Sequence, residues 1–275
     1  MISRLEIRQK SAEWGLRLDV VEKDYVISWV LWGLFQQPEL AKSLAFKGGT
    51  ALRKMYFPTY RFSEDLDFTI TTPLGKDELQ TACERAVRSA QEASGLRLDL
   101  AMLRQTRDEE GGAAYEGRIE YTGPMQRRGP NLPRVKLDLS AYELVVVPPE
   151  SRRLINAYSE HIEADIPTYA LEEILAEKLR SLLRRTRARD VFDIWFLLKH
   201  HQDALDLPTV ARLFEEKRAF KGIPFTGRAD LWTPGLQMGI AASWEKSLAY
   251  QIQDLPRFDD VASEFPVLLR AVLAE

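Results

Sequence analysis

The chain is poor in the residues that staple or ligate small domains. One cysteine, Cys83, and three histidines, His161, His200 and His201, occur among 275 residues. No intrachain disulfide and no structural Cys/His zinc site can be assembled from them. Long apolar runs are missing as well: Tyr25 to Phe35 is the longest mainly apolar stretch, about half of the roughly 20 residues a membrane-spanning helix needs. Met1-Ile2-Ser3-Arg4-Leu5-Glu6 lacks a basic segment followed by an apolar core, so a cytoplasmic, reducing location without a membrane is expected. Positive charge is not in excess: 38 Lys and Arg stand against 41 Asp and Glu, a net charge of −3. That excludes a uniformly basic nucleic-acid coat and leaves a local basic patch open. What remains, 45% hydrophobic and 29% charged residues, is an ordinary globular composition with enough chain for one large domain or two modest ones.

The patterning changes along the chain. Val20, Val21, Val26, Ile27, Val30, Leu31 and Leu34 recur at helical intervals, predicting a helix from Asp19, its N-cap, to Phe35. Gly48-Gly49-Thr50 is read as a turn entering a short helix, Ala51 to Met55. From Arg61 to Ile70 the period becomes two: Phe62, Leu66, Phe68 and Ile70 fall on one parity and Arg61, Ser63, Asp65 and Asp67 on the other. A polar helix near Lys76 to Ala93 precedes strands at Leu96 to Leu103, Tyr115 to Tyr121 and Arg134 to Ser140. After Pro167 helices dominate: Leu171 to Leu183, Asp190 to Lys199, Pro208 to Arg218, Trp244 to Gln253 and Phe258 to Leu273. The expected class is α+β, with a mixed sheet domain over 1–165 and a packed helical domain over 166–275.

The first constellation is Gly48-Gly49-Thr50 followed by Ser63, Asp65 and Asp67. Carboxylates at i and i+2 on one strand face lie roughly 7 Å apart. They can share one or two magnesium ions whose octahedra are completed by phosphate oxygens. The Gly-Gly turn offers backbone N–H groups to an anion at a helix start. A third carboxylate would finish a two-metal site and act on the attacking hydroxyl. Asp138 fits by parity, because Val135, Leu137 and Leu139 leave Lys136, Asp138 and Ser140 on the opposite face; Asp99 is its rival.

The second constellation lies in the helical half. At 100° per residue, Lys178 falls within about 60° of Leu171, Ile174, Leu175 and Leu182, so it faces inward. Asp190 and Asp193 group likewise with Ile194 and Leu197. Two readings follow: Lys178 and Asp190 line one pocket with the metal site, or Lys178 forms a buried structural ion pair with Asp190 or Asp193. Arg180, Arg184, Arg185 and Arg187 between them are candidate contacts for an RNA backbone. His200, His201 and Cys83 carry no sign of catalysis.

The sequence resembles the AbiEii/AbiGii-type nucleotidyltransferase toxins of the DNA polymerase β-like superfamily. The resemblance rests on Lys47-Gly48-Gly49-Thr50-Ala51-Leu52, Arg61 to Phe68, Glu172 to Leu179 and Arg187 to Ile194, with Glu22-Lys23-Asp24-Tyr25 also fitting. It implies a polymerase β-like sheet and a Mg2+-dependent enzyme, with Mn2+ as substitute, that transfers NMP from an NTP to an acceptor hydroxyl. On this resemblance Asp65 and Asp67 hold the metal, while Ser63, Gly48, Gly49 and Thr50 bind phosphate. Lys178 neutralises the triphosphate, and Asp190 orients or deprotonates the acceptor. It further implies the toxin half of a bacterial toxin–antitoxin or phage-defence pair, with the 3′ end of tRNA as acceptor, translation blocked, and a separately encoded AbiEi-type winged-helix antitoxin as partner. The enzyme itself is expected to be a monomer. Two alternatives remain: transfer of AMP to a protein side chain, and a catalytically silent nucleotide- or RNA-binding module.

Overall fold

The computed structural model describes residues 1–108, 111–127 and 129–273, and the chain divides into two compact units, Met1–Tyr169 and Ala170–Glu275. In the first, α1 (Arg4–Glu13), α2 (Leu18–Phe35) and α3 (Pro38–Ser43) precede β1 (Leu44–Lys47). Next, α4 (Gly48–Ala51) runs directly into a π-helical turn (Leu52–Tyr56). Then follow β2 (Asp65–Ile70), α5 (Lys76–Ser94), β3 (Arg97–Arg107), β4 (Ala113–Thr122), β5 (Arg134–Ser140), β6 (Glu150–Arg153) and β7 (Asp165–Thr168). The strands form one mixed sheet in the order β3-β4-β5-β2-β1-β7-β6. Strand β2 runs parallel to β5 and β1 parallel to β7, while the other neighbours are antiparallel.

The alternation of β2 and β5 decides which way the site points. Leu66, Phe68, Val135, Leu137 and Leu139 are buried, and α2 closes over this side, with Phe35 and Phe68 ring centroids 5.9 Å apart. Asp65, Asp67, Lys136 and Asp138 are left half-buried on the opposite face. A one-residue slip would exchange the two sets, so burial of the leucines fixes where the carboxylates stand.

A buried ionic hub fastens α2 to the turn beyond α4. Asp24, 2% exposed, accepts from Arg53 Nε at 2.9 Å, Lys54 Nζ at 2.7 Å and the Tyr158 hydroxyl at 2.9 Å. Arg53 also donates to the Tyr60 carbonyl at 2.6 Å and lies 3.4 Å from the Phe62 ring centroid, bracing the segment that leads into β2.

The second unit is helical: α6 (Leu171–Leu182), α7 (Ala188–His200), α8 (Leu207–Phe220), α9 (Pro234–Leu248) and α10 (Phe258–Val272). Helix α6 packs against α7 and α8, and the Lys217–Glu173 pair at 2.9 Å between α8 and α6 is wholly buried. No helix among the described residues is long and apolar enough to cross a membrane.

The α+β class with a mixed sheet and a helical second half is as expected; several boundaries differ. Arg17, not Asp19, caps α2, and Asp19 sits in its first turn, where a carboxylate favours the dipole. Strand β2 begins only at Asp65, so Arg61 and Ser63 precede the strand instead of sharing its face. Helix α9 starts ten residues earlier than its apolar period suggests and is capped by Thr233, whose hydroxyl accepts from the Leu236 N–H at 3.2 Å.

Candidate active site

Unit 1 gathers the Gly-Gly turn, Ser63 and the aspartates at one end of β1 and β2. Lys47, the last residue of β1, pairs in register with Asp67. The chain then turns sharply at Gly48, whose φ of +79° is in the left-handed region. A β-carbon on Gly48 would stand 2.4 Å from Asp67 Oδ2, and one on Gly49 would stand 2.7 Å from Arg61 Nη2 and 3.1 Å from Ser63 Oγ. The Thr50 hydroxyl donates to the Asp65 carbonyl at 2.5 Å. The turn and the start of β2 are therefore one packed object, and the two glycines are what let the backbone approach the acidic strand.

Asp138 is next to Asp67 in the parallel ladder, and Lys136 is next to Asp65. Lys136 Nζ reaches Asp138 Oδ2 at 2.5 Å. Burial pushes the Asp138 carboxyl above the usual carboxylate range against the pull of Lys136, and the charge of Asp65 adds to the rise. Asp99 is excluded as the third carboxylate: it sits on β3 opposite Glu120, three strands from β2, or about 14 Å across the sheet.

Among the described residues no three Asp, Glu, His or Cys side chains are arranged to hold a metal ion. Asp65, Asp67 and Asp138 share a face without closing into a cage, and Asp138 is engaged by Lys136. Two hard carboxylates on one strand, beside a glycine turn, are still the kind of donors magnesium takes. That ion takes one or two carboxylates and fills its octahedron with substrate phosphate and water oxygens.

Two cations that the sequence reading left without a role also lie here. Lys47 is 7% and Arg61 5% exposed. Lys47 Nζ lies 3.9 Å from Glu143 Oε2 and 5.6 Å from the Tyr169 ring centroid, and Arg61 lies 5.3 Å from the Tyr60 ring centroid. The signal was their position: each flanks one of the two motif strings, immediately before the turn and two residues before Ser63.

In unit 2, Lys178 Nζ is 2.8 Å from both Asp190 Oδ1 and Asp193 Oδ2, and Arg185 Nε is 2.9 Å from Asp190 Oδ2. Burial alone would raise the Asp190 pKa, but Lys178 and Arg185 overcome it and hold the carboxyl well below its ordinary value. Such a carboxylate accepts a proton poorly, so the deprotonating role expected of Asp190 is at odds with its surroundings. Of the four arginines expected to face RNA, Arg184 and Arg187 are exposed. Arg180 is buried, with Glu177 at 3.6 Å, and is withdrawn from any solvent-facing patch, while the half-buried Arg185 is tied to Asp190. Cys83 is buried in α5, and burial pushes its thiol up to about 12.

Comparison with known families places these features in context. The profile described as "Nucleotidyl transferase AbiEii toxin, Type IV TA system" matches residues 29–264. Among solved structures, the chain is similar to MenT4, a nucleotidyltransferase toxin of Mycobacterium tuberculosis H37Rv. The TM-score is 0.66 at 20% identity, covering 100% of this chain and 91% of that one. It is also similar to JHP933 from Helicobacter pylori, with a TM-score of 0.56 at 18% identity over 94% of this chain and 93% of the other. At these identities the likeness is one of fold. No curated protein matches by sequence.

Proposed function

We propose, from the premise that the chain belongs to the AbiEii nucleotidyl transferase toxin family of type IV toxin–antitoxin systems, that it moves an NMP from an NTP to the 3′ hydroxyl of an RNA, with tRNA as the acceptor. The observation that carries this reading is the packing of the Gly48-Gly49 turn against Ser63 and against Asp67, which shares its strand with Asp65. Phosphate groups entering over the turn meet backbone N–H groups and the buried cations Lys47 and Arg61. Asp65 and Asp67 would hold Mg2+, which when bound neutralises phosphate charge as the transfer proceeds.

The acceptor oxygen bonds to the α-phosphorus, the bond from the α-phosphorus to the bridging oxygen breaks, and pyrophosphate leaves. Asp138 takes the hydroxyl proton, since burial raises its affinity for one. Gly48, Gly49, Thr50 and Ser63 orient the phosphates. Lys178 and Asp190 serve the same reaction in this reading, Lys178 as a charge for the triphosphate and Asp190 as the group that holds it; the support is the family match across residues 29–264. A transferase acting on the 3′ end of tRNA would block translation, and the antitoxin would be an AbiEi-type winged-helix protein encoded separately.

The test is to incubate the purified chain with Mg2+, each α-labelled NTP and either total tRNA or a protein extract. Label in tRNA with pyrophosphate released is the expected result. Label only in protein would favour AMP transfer to side chains, and no label with any NTP would remove the enzymatic reading.

A further inference from the structure

The sheet face that carries Asp65 and Asp67 continues outward across β5, β4 and β3. In register, Asp65 lies beside Lys136, Lys136 beside Arg118, and Arg97 beside Thr122, four residues along β4 from Arg118. Side chains of like parity share a face, so Arg97 and Thr122 look to the same side as the carboxylates. Most cations on this face are consumed locally. Lys136 pairs with Asp138 at 2.5 Å, Arg118 and Arg104 with Glu116 at 2.8 and 3.4 Å, and Arg134 with Glu120 at 2.6 Å.

Arg97 and Arg127 differ. Both are exposed, and among the described residues neither is within ion-pair distance of a carboxylate, Arg127 acting on the Glu22 carboxylate only from further off. They line a cavity of about 650 Å3 together with Gly95, Thr122, Gln126 and Gly129, and among the described residues none that lines it is acidic. The β4–β5 loop that carries Arg127 is pinned beneath. Glu22, 1% exposed, accepts from the Met125 N–H at 2.6 Å, and Arg4 Nε donates to the Pro124 carbonyl at 3.1 Å. Gln126 is held at a φ of +53°, a conformation that costs a non-glycine residue free energy and persists where surrounding contacts enforce it. Here its N–H and side-chain amide both donate to the Gly123 carbonyl, at 2.9 and 3.3 Å. This gives a use to Glu22 of the Glu22-Lys23-Asp24-Tyr25 string, which the transfer chemistry leaves without one.

We propose that Arg97 and Arg127, on this pinned loop and strand edge, form a cradle for phosphodiester groups of the acceptor nucleic acid upstream of its reacting end. The inference rests on the transferase reading above. Three strand spacings across and four residues along the sheet put the cradle roughly 20 Å from Asp65, the span of about six stacked nucleotides at about 3.4 Å each. Common placement of Arg97 and the carboxylates on one sheet face favours a nucleic acid over an acidic protein, because a single strand can lie across this cavity with its end at Asp65 and Asp67.

The test measures binding without catalysis. Fluorescein-labelled single-stranded RNAs of 12 and 3 nucleotides are titrated with the full chain, without NTP or Mg2+, across a salt series. The expected result is that Arg97→Gln with Arg127→Gln weakens the 12-mer about tenfold and lowers its salt slope by about 1.4, two contacts at about 0.7 each. The 3-mer and Mg2+–ATP should be unaffected, and thermal melting should match wild type. Equal binding of the 12-mer by both proteins overturns the proposal. So does a loss that is the same for the 3-mer or for ATP, or capture of polyglutamate but not RNA. A wild-type chain that labels nothing but shows the arginine-dependent 12-mer binding would sink the transfer reading and leave the cradle standing. Labelling of RNA with arginine-independent binding would do the reverse.

Discussion

Gly48 and Asp67 are packed so closely that a β-carbon on the glycine would stand 2.4 Å from Asp67 Oδ2. The same glycine holds a φ of +79°, so one residue answers both to backbone geometry and to the position of the Asp67 carboxylate, proposed to hold Mg2+. Gly48→Ala is expected to cost about 1–3 kcal/mol for the strained backbone and to move Asp67, lowering the transfer rate at least about tenfold. Gly222 is the control. Its φ is +63° with nothing within 4 Å of an added β-carbon, so Gly222→Ala should cost about 1 kcal/mol and leave the rate alone. Urea unfolding and label transfer on both variants check the pair.

Asp24 makes the acid behaviour of unit 1 testable. Burial would raise its pKa, but Lys54 and Arg53 bring it down to about 2, below the roughly 3.9 of an unfolded aspartate. Its contribution to stability is therefore complete above about pH 4 and is lost as the pH falls toward 2. Asp24→Asn should destabilise the unit by about 3–5 kcal/mol at neutral pH, because Arg53 and Lys54 stay buried without their counter-charge. The gap to wild type should narrow between pH 4 and pH 2. A gap that stays constant over that range would contradict the assignment.

How far the site could be read in the sequence follows from which residues obey a period. The parity of Leu66 and Phe68 against Asp65 and Asp67, and of Leu137 and Leu139 against Asp138, was legible because one face of β2 and β5 is buried and the other is not. Strand β1 was not, because all four of its residues are buried and show no alternation. Ser63 continues the sequence parity of the aspartates but precedes β2; it stands beside Gly49, where an added β-carbon would be 3.1 Å from its Oγ, and not on a strand face. The arginines after Lys178 read as one basic run. Arg185 turns back to the Asp190 carboxylate, a contact between residues brought together by the α6–α7 bend, which no linear pattern encodes.

Lys178 offers a way to separate structure from chemistry. Lys178→Met removes the ammonium that lies 2.8 Å from both Asp190 Oδ1 and Asp193 Oδ2, and should cost about 3–5 kcal/mol. Adding Asp193→Asn removes one of the two buried negative charges it served and should recover part of the stability. If Lys178 serves the triphosphate as proposed, label transfer stays lost in the double variant. Recovery of transfer along with stability would make the lysine a purely structural partner.

The carboxylates of β2 bear the central claim, and metal-dependent transfer tests it most directly. The rate of label incorporation into RNA is measured against Mg2+ concentration for wild type, Asp65→Ala and Asp67→Ala. The account predicts a saturable Mg2+ dependence for wild type and a fall of at least about 10³-fold, on the order of 4 kcal/mol, for each variant with its melting temperature retained. Transfer by either alanine variant at the wild-type rate, or a wild-type rate independent of divalent metal, would contradict it.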